Sequence, residues 1–368
     1  METTDFKHSA QPNLRQTLRE DIKTGDLWHS LLRDYRELEK FYIDDEKKLR
    51  LDQMRWLKRT IFLAWWLLKS LILKLTPARR ILLFIGIFFS LGGGVIIVRG
   101  DAFATGNGNI LGAALFLFVL MLELKDKLLA RDELEAGRKV QRALMPDPTP
   151  SIPGWSVWLF TRPANEVGGD LVDFLSFGTN RNGLVLADVS GKGLQAALLT
   201  AKLQATIRAL GQDYESISKL VSKINEIFHR DSLPNVFASL LYAEAAPDSA
   251  QIKFVNAGHL PPLLVQSGII HEMSKGEQAL GLIGTSAYSE QTVELHSGDI
   301  FFAYSDGVTE ARNDKGEFFG SERLLRLLPT WKQLSAEKIG NAVTSEVDWF
   351  VGEARANDDL SLVILKKL

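Results

Sequence analysis

Residues 300–311, "IFFAYSDGVTEA", run an apolar strand straight into an acid, Asp306, that sits between Ser305 and Gly307. The same arrangement recurs at three other places: "VGGD" ending at Asp170, "LVLADVSGKG" with Asp188, and "ANDDLSL" with Asp358 and Asp359. A strand end fixes a carboxylate in space, while a neighbouring glycine lets backbone and ligand approach closely. Each aspartate alone reads as an ordinary helix cap or turn residue. Four of them together ask whether the strand ends converge, because unpaired carboxylates at the mouth of an apolar core are costly unless cations hold them. With six His and no Cys in the chain, a cluster of this kind favours hard, oxygen-seeking ions, Mg²⁺ or Mn²⁺, over zinc.

Around these acids the second half of the chain is rich in short strands. "WSVWLFT" (155–161), "GLVLADV" (183–189), "VFASLLYAEA" (236–245), "IKFVNAG" (252–258), "PPLLVQ" (261–266), "DIFFAYS" (299–305) and "LSLVILK" (360–366) are apolar runs bounded by Gly, Pro, Asn or Asp. Helices are predicted over Leu194–Leu210, Ser216–His229, Ser321–Leu328 and Ser335–Val351. Two long helices between early strands, with others late in the chain, point to an α+β fold of layered sheets and helices rather than a doubly wound parallel sheet.

The first third has another character. The chain of 368 residues is 46% hydrophobic and 24% charged, but the apolar residues are unevenly spread. "ILLFIGIFFSLGGGVIIV" (81–98) carries no charge, and "NILGAALFLFVLMLEL" (109–124) is a second apolar run after a short Gly-rich connection. Together they predict a transmembrane hairpin over 79–124, with spans at about 81–98 and 107–124. Between Lys47 and Arg80 ten Lys and Arg accompany one acid, Asp52, and Lys125, Lys127 and Arg131 follow the second span. Both ends are therefore expected in the cytoplasm of a multi-pass protein of the inner (cytoplasmic) membrane.

A cleavable signal peptide is not expected, since the first 50 residues are polar. Residues 1–55 read as a cytoplasmic helical region, with Leu27, Leu31, Tyr35, Leu38 and Tyr42 at helical spacing. Residues 56–78 are basic and rich in Trp, and suit a helix lying on the inner membrane surface, with a third span as the alternative. Residues 125–150 predict a linker helix ended by Pro146, Pro148, Pro150 and Pro153. Its narrow apolar stripe makes it a candidate coiled coil and so a route to a homodimer. A net charge of −2 argues against a general nucleic-acid binder.

Residues 151–368 resemble the bacterial branch of the metal-dependent PPM (PP2C-type) Ser/Thr phosphatases, the group of stage II sporulation protein E and RsbU. The motifs that carry this likeness are "EVGGDLVDF", "LADVSGKGLQAALLTA", "FASLLYAE", "NAGHLPPLLV", "ALGLIG", "GDIFFAYSDGVTEARNDKGEFFGSERL" and "NDDLSLVIL", in the family's order and spacing. The resemblance implies a β-sandwich flanked by helices (αββα layers) with two Mn²⁺ or Mg²⁺ ions at one end. By motif, Asp188 resembles the carboxylate that bridges both ions, aided by the carbonyl of Val189, while Asp306 and Asp358 would bind the second ion. Asp170 resembles an acid beside the metals that positions water, so Asp188 and Asp170 are the residues expected to carry catalysis.

Asp359 stands where the wider superfamily often has Asn, which favours Asp358 as the ligand. Lys192 stands where many members have His, and Leu171 and Val172 where many have Tyr. His259 in "AGH" reads as a hydrogen-bonded turn residue, and no general acid is identified. The implied function is hydrolysis of phosphoserine or phosphothreonine by metal-activated water. The implied partner is a small phosphorylated regulator of the anti-sigma-factor-antagonist type. The alternative is a membrane signalling scaffold that binds regulators without strong catalysis.

Overall fold

The computed structural model describes residues 56–368 apart from 92–94, 100, 101, 107 and 179, so the helical region expected over 1–55 lies outside the described residues. The chain divides into two compact units, Met1–Lys127 and Leu128–Leu368.

In the first unit, α1 (Trp56–Lys74) and α2 (Pro77–Ser90) are separated by two residues, Leu75 and Thr76. Pro77 opens α2, where its missing N–H costs nothing. Arg80 donates to the carbonyls of Ile72 (3.2 Å), Leu73 (3.0 Å) and Leu75 (3.0 Å), partnering groups that the end of α1 leaves free. Strands β1 (Val95–Arg99) and β2 (Ala102–Gly106) pair antiparallel, and α3 (Gly108–Leu144) follows as one helix of 37 residues. Helices α2 and α3 pack through small residues. A Cβ on Gly86 would lie 2.9 Å from the Phe116 ring, and one on Gly112 would lie 2.8 Å from the Gly86 carbonyl. Arg79 joins the same pair through Glu123 (2.7 Å) and Asp126 (2.6 Å).

The apolar run 81–98 is therefore not one helix. Its helical part ends at Ser90, and after a Gly triplet in the sequence Val95–Val98 is β-branched throughout, a composition that favours the strand found there. Among the described residues no helix is long and apolar enough to cross a membrane. The linker expected to begin at residue 125 is continuous with the second apolar run and ends at Leu144, just before the prolines.

The second unit is a sandwich of two five-stranded antiparallel sheets. After β3 (Trp155–Arg162) come β4 (Asp170–Ser176), β5 (Asn182–Val189), α4 (Leu194–Leu210), α5 (Ile217–Asp231), β6 (Ala238–Ala245) and β7 (Gln251–Ala257). These are followed by β8 (Leu263–Gln266), β9 (Ile269–Glu272), β10 (Gln291–Glu294), β11 (Ile300–Tyr304), the single turn α6 (Asp306–Thr309), α7 (Ser321–Leu327), α8 (Ala336–Val351) and β12 (Leu360–Lys367). The sheet orders are β10-β7-β6-β5-β4 and β3-β12-β11-β8-β9.

Alternation along each strand divides the core into three layers. Leu184 and Leu186 of β5 face the opposite sheet with Val172, Leu241, Phe254, Phe301 and Val363. Val185, Ala187 and Val189 face the other way, onto Leu203, Ile207, Leu220 and Ile224 of α4 and α5. On the far side Trp158, Phe302 and Ile364 pack against Leu324, Ile339 and Val343 of α7 and α8. Sheets covered on both faces explain why these strands read as unbroken apolar runs. The expected αββα sandwich is what the unit forms. Beyond the runs quoted as strands it adds β4 and the two short edge strands β9 and β10.

Candidate metal centre

Followed toward one end of the sandwich, the inward-facing positions change character. On β5 the series Leu184, Leu186 ends in Asp188, and on β4 Val172 is followed by Asp170. By the same two-residue period Leu241 gives way to Ser239, Val363 to Ser361 and Leu159 to Thr161. An apolar interior thus terminates in a polar layer, with Asp170 and Asp188 directly opposite each other in the β4–β5 register.

The remaining acids arrive from the second sheet. Asp306 follows β11 at the first position of α6, and Asp358 and Asp359 precede β12. The charges of Asp306, Asp358 and Asp359 all bear on Asp188. Burial first, and then these neighbours, push its carboxyl up to about 6. Asp306 is raised by burial, then by Asp358 and Glu310. Asp170 is raised well above the ordinary carboxylate range, chiefly by burial and next by Asp188, against the pull of the Ser361 and Ser305 hydroxyls. Its Oδ2 is buried and has no hydrogen-bond partner among the described residues. The four expected positions are therefore brought together, with mutual repulsion as their common feature.

Asp359 plays a different part. Its Oδ1 accepts from the Ala164 N–H (2.7 Å), and its Oδ2 accepts from the N–H groups of Gly169 (2.6 Å) and Asp170 (3.3 Å). It is spent on holding the loop that delivers Asp170. Gly307 lies against the Asp359 carbonyl so closely that any Cβ there would collide with it. A Cβ on Gly169 would sit 2.9 Å from the Val189 carbonyl oxygen and 3.5 Å from Asp188 Oδ1. The glycines keep the carboxylate end open, while Thr200 of α4 donates to the Gly169 carbonyl (2.6 Å) and braces the same loop.

His259 belongs to the framework. Its ring nitrogens contact Ser239 Oγ (2.8 Å) and the Tyr304 carbonyl (3.2 Å), and its main chain is bonded at both ends to the Asn256 side chain. Burial lowers its pKa to about 4, so it stays neutral. Ser305, Ser361 and Thr200 escaped the sequence reading, although Ser361 and Thr161 are visible as polar breaks in the inward alternation of otherwise apolar strands.

The donor chemistry fits a hard divalent ion. Carboxylate oxygens and a main-chain carbonyl converge, the chain has no Cys thiolate to offer a softer ion, and among the described residues one buried oxygen lacks a donor. Among the described residues no three His, Cys, Asp or Glu side chains form a ready-made metal cage.

The family model of stage II sporulation protein E (SpoIIE) matches residues 178–367, just over half of the chain and most of the sandwich. The chain belongs to the SpoIIE family. Curated relatives agree with this membership. The phosphoserine phosphatase RsbU of Bacillus subtilis is 25% identical over 240 residues, covering 64% of this chain and 70% of RsbU. Protein IcfG of Synechocystis is 24% identical over 261 residues, covering 63% of this chain and 41% of IcfG. The phosphoserine phosphatase RsbP of Bacillus subtilis is 26% identical over 192 residues, covering 50% of this chain and 47% of RsbP. The chain thus spans less than half the length of IcfG and RsbP.

Solved structures share the fold. The SiaA-PP2C domain of Pseudomonas aeruginosa superposes with a TM-score of 0.56 at 19% identity, covering 66% of this chain and 98% of that one. The PP2C phosphatase domain of SpoIIE from Bacillus subtilis, solved with a fragment of its regulatory domain, gives 0.51 at 16% identity, covering 60% of this chain and 64% of that one.

Proposed function

We propose that this SpoIIE-family chain is a metal-dependent protein phosphatase acting on phosphoserine or phosphothreonine. The observation that carries this reading is the convergence of Asp170, Asp188, Asp306 and Asp358 on one polar end of an apolar sandwich, each of the first three with its carboxyl pushed up. Asp188, the Val189 carbonyl, Asp306 and Asp358 would hold two Mn²⁺ or Mg²⁺ ions, with Asp170 beside them. When bound, such ions screen the charge of a phosphate and make water a stronger nucleophile. The chain's own residues do the rest. Asp188 and Asp170 hold negative charge where water must be oriented, Asp359 fixes the loop Ala164–Asp170, and the apolar layer beneath keeps bulk water from the far side. Nothing in this arrangement calls for a covalent phospho-enzyme, which suits a chain without Cys.

The test is hydrolysis of a phosphoserine peptide by the full chain with MnCl₂. Turnover that disappears in Asp188→Asn supports the reading. No turnover in the wild type, or turnover indifferent to Asp188→Asn, sinks it and favours the scaffold alternative. The relatives named as phosphoserine phosphatases support phosphoserine as the group removed; a small phosphorylated regulator of the anti-sigma-factor-antagonist type, as the family resemblance implies, is the protein proposed to carry it.

Attachment to the inner membrane belongs to the same proposal. It is supported by outward-facing Ile81, Phe84 and Phe88 on α2 and Ile110, Leu117, Leu120 and Met121 on α3, and by the close Gly86–Gly112 packing. Since the chain has no Cys, Asn107→Cys provides a single label. Modification by a membrane-impermeant maleimide added outside intact cells supports a hairpin through the membrane with both ends inside, whereas labelling only after lysis rejects it. Exposed Leu128, Leu129 and Val140 support self-association along the second half of α3. A sedimentation profile of the full chain in detergent that stays monomeric would reject that part.

A further inference from the structure

Lys192 lies in the β5–α4 loop between Gly191 (φ +111°) and Gly193 (φ +71°), two left-handed positions with open space where a Cβ would stand. Its Nζ donates to the Asn357 carbonyl (2.9 Å) and lies 3.3 Å from Asp358 Oδ2. The side chain is 63% exposed and that of Asp358 46%, so the contact is a surface ion pair, cheap to break. Lys192 is also the cation whose charge eases the repulsion on both Asp188 and Asp306. One ammonium on a loop flanked by glycines therefore touches Asp358, and its charge is felt at Asp188 and Asp306.

We infer that Lys192 is a positioning residue that serves as the built-in counter-ion of Asp358, yields that carboxylate when a divalent ion binds, and is thereby released to meet the phosphate of the substrate. The first half rests on the Lys192–Asp358 contact and on the metal reading of Asp358: the carboxylate cannot give the same oxygen fully to an ammonium and to a metal. The second half rests on the phosphatase reading above. An ammonium is a compact charge with three rotatable donors on a flexible stem, well suited to changing partners from a carboxylate to a phosphate. The glycines on either side let the loop make that exchange without moving β5 or α4.

The experiment is calorimetric titration of the full chain with MnCl₂ in the wild type, Lys192→Met and Lys192→Arg, followed by titration of the Mn²⁺-loaded proteins with inorganic phosphate. Lys192→Met is expected to tighten Mn²⁺ binding by about two- to five-fold, the scale of an exposed ion pair. Phosphate binding should weaken in that variant, and Lys192→Arg should stay near the wild type in both titrations. Unchanged or weaker Mn²⁺ binding in Lys192→Met overturns the counter-ion role. Tighter Mn²⁺ binding with unchanged phosphate binding overturns the hand-over. A wild type that takes up no Mn²⁺ overturns the metal reading itself, and so separates that failure from failure of the inference.

Discussion

Two buried carboxylates stand three residues apart on β4 and meet opposite fates. Asp173 points outward to α4, where Arg208 embraces both its oxygens at 2.8 Å and also reaches the Leu144 carbonyl at the end of α3. Asp170 points inward at the end of the sandwich, faces Asp188, and keeps an oxygen without a partner. The fold can evidently provide a cation for a buried acid where the acid is structural. At Asp170 it provides further negative charge instead, and burial and Asp188 push that carboxyl up, so its charge is relieved by a proton or by a cation rather than by the fold.

The sharpest way to break this comparison is to make the first acid resemble the second. Arg208→Ala leaves the buried Asp173 carboxylate without its cation, and is expected to cost about 1–3 kcal/mol of stability, since Arg208 is itself partly exposed. Thermal denaturation should register the loss. Asp173→Asn in the same background should recover part of it, because an amide buries more cheaply than a carboxylate. A loss near zero would mean that water reaches Asp173 and that the contrast is false.

The converse change relieves the second acid. Asp188→Asn removes a charge that Asp170, Asp306 and Asp358 all oppose, so the metal-free protein should melt at the same or a higher temperature. Phosphopeptide turnover with Mn²⁺ should meanwhile fall by roughly 10²–10³-fold, the scale seen when one preorganised electrostatic group is lost. A variant that loses activity and stability together would class Asp188 with Asp173 as a structural acid.

His259 gives a third solution to burying a titratable group: it is kept uncharged. Its folded pKa of about 4 lies below the ordinary value of 6.5, so the unfolded chain binds the extra proton first as pH falls. The stability this group contributes is therefore full above about pH 6.5 and is lost progressively as pH drops toward 4, on the order of 3 kcal/mol in all. His259→Gln should flatten that part of the pH–stability curve. An unaltered slope between pH 6.5 and 4 would show that the imidazole is protonated in place.

The sandwich was legible because its strands are covered on both faces and so spell continuous apolar runs, and because α4 matches its expected bounds, Leu194–Leu210, residue for residue. The site was legible as four acids at strand ends, but their convergence was not, since periodicity describes one strand at a time and register joins two. β9 and β10 were missed because four-residue edge strands with exposed polar positions carry almost no pattern. The Asp173–Arg208 pair spans 35 positions and no local rule links them. In the first third the hydropathy of 81–98 was read as one helix, and the conformational preferences of Gly and of Val-Ile-Ile-Val broke it at Ser90.

The subtlest contrast lies within one dipeptide. Asp359 is buried and spends its oxygens on three main-chain N–H groups, whereas Asp358 is half-exposed and, among the described residues, engages Lys192 and the N–H of Asp359 (3.0 Å). Asp358→Ala should therefore weaken Mn²⁺ binding by removing a ligand, about ten-fold in calorimetric titration, with little change in melting temperature. Asp359→Ala should do the reverse. It strands three donors and lowers the melting temperature by several degrees, and any change in Mn²⁺ affinity follows from a loosened Ala164–Asp170 loop. Asp359→Asn is the discriminating variant, because an amide can accept through one oxygen only and should lose part of the loop's support while keeping the shape. If Mn²⁺ affinity fell further in Asp359→Asn than in Asp358→Ala, the roles of the two acids would have to be exchanged.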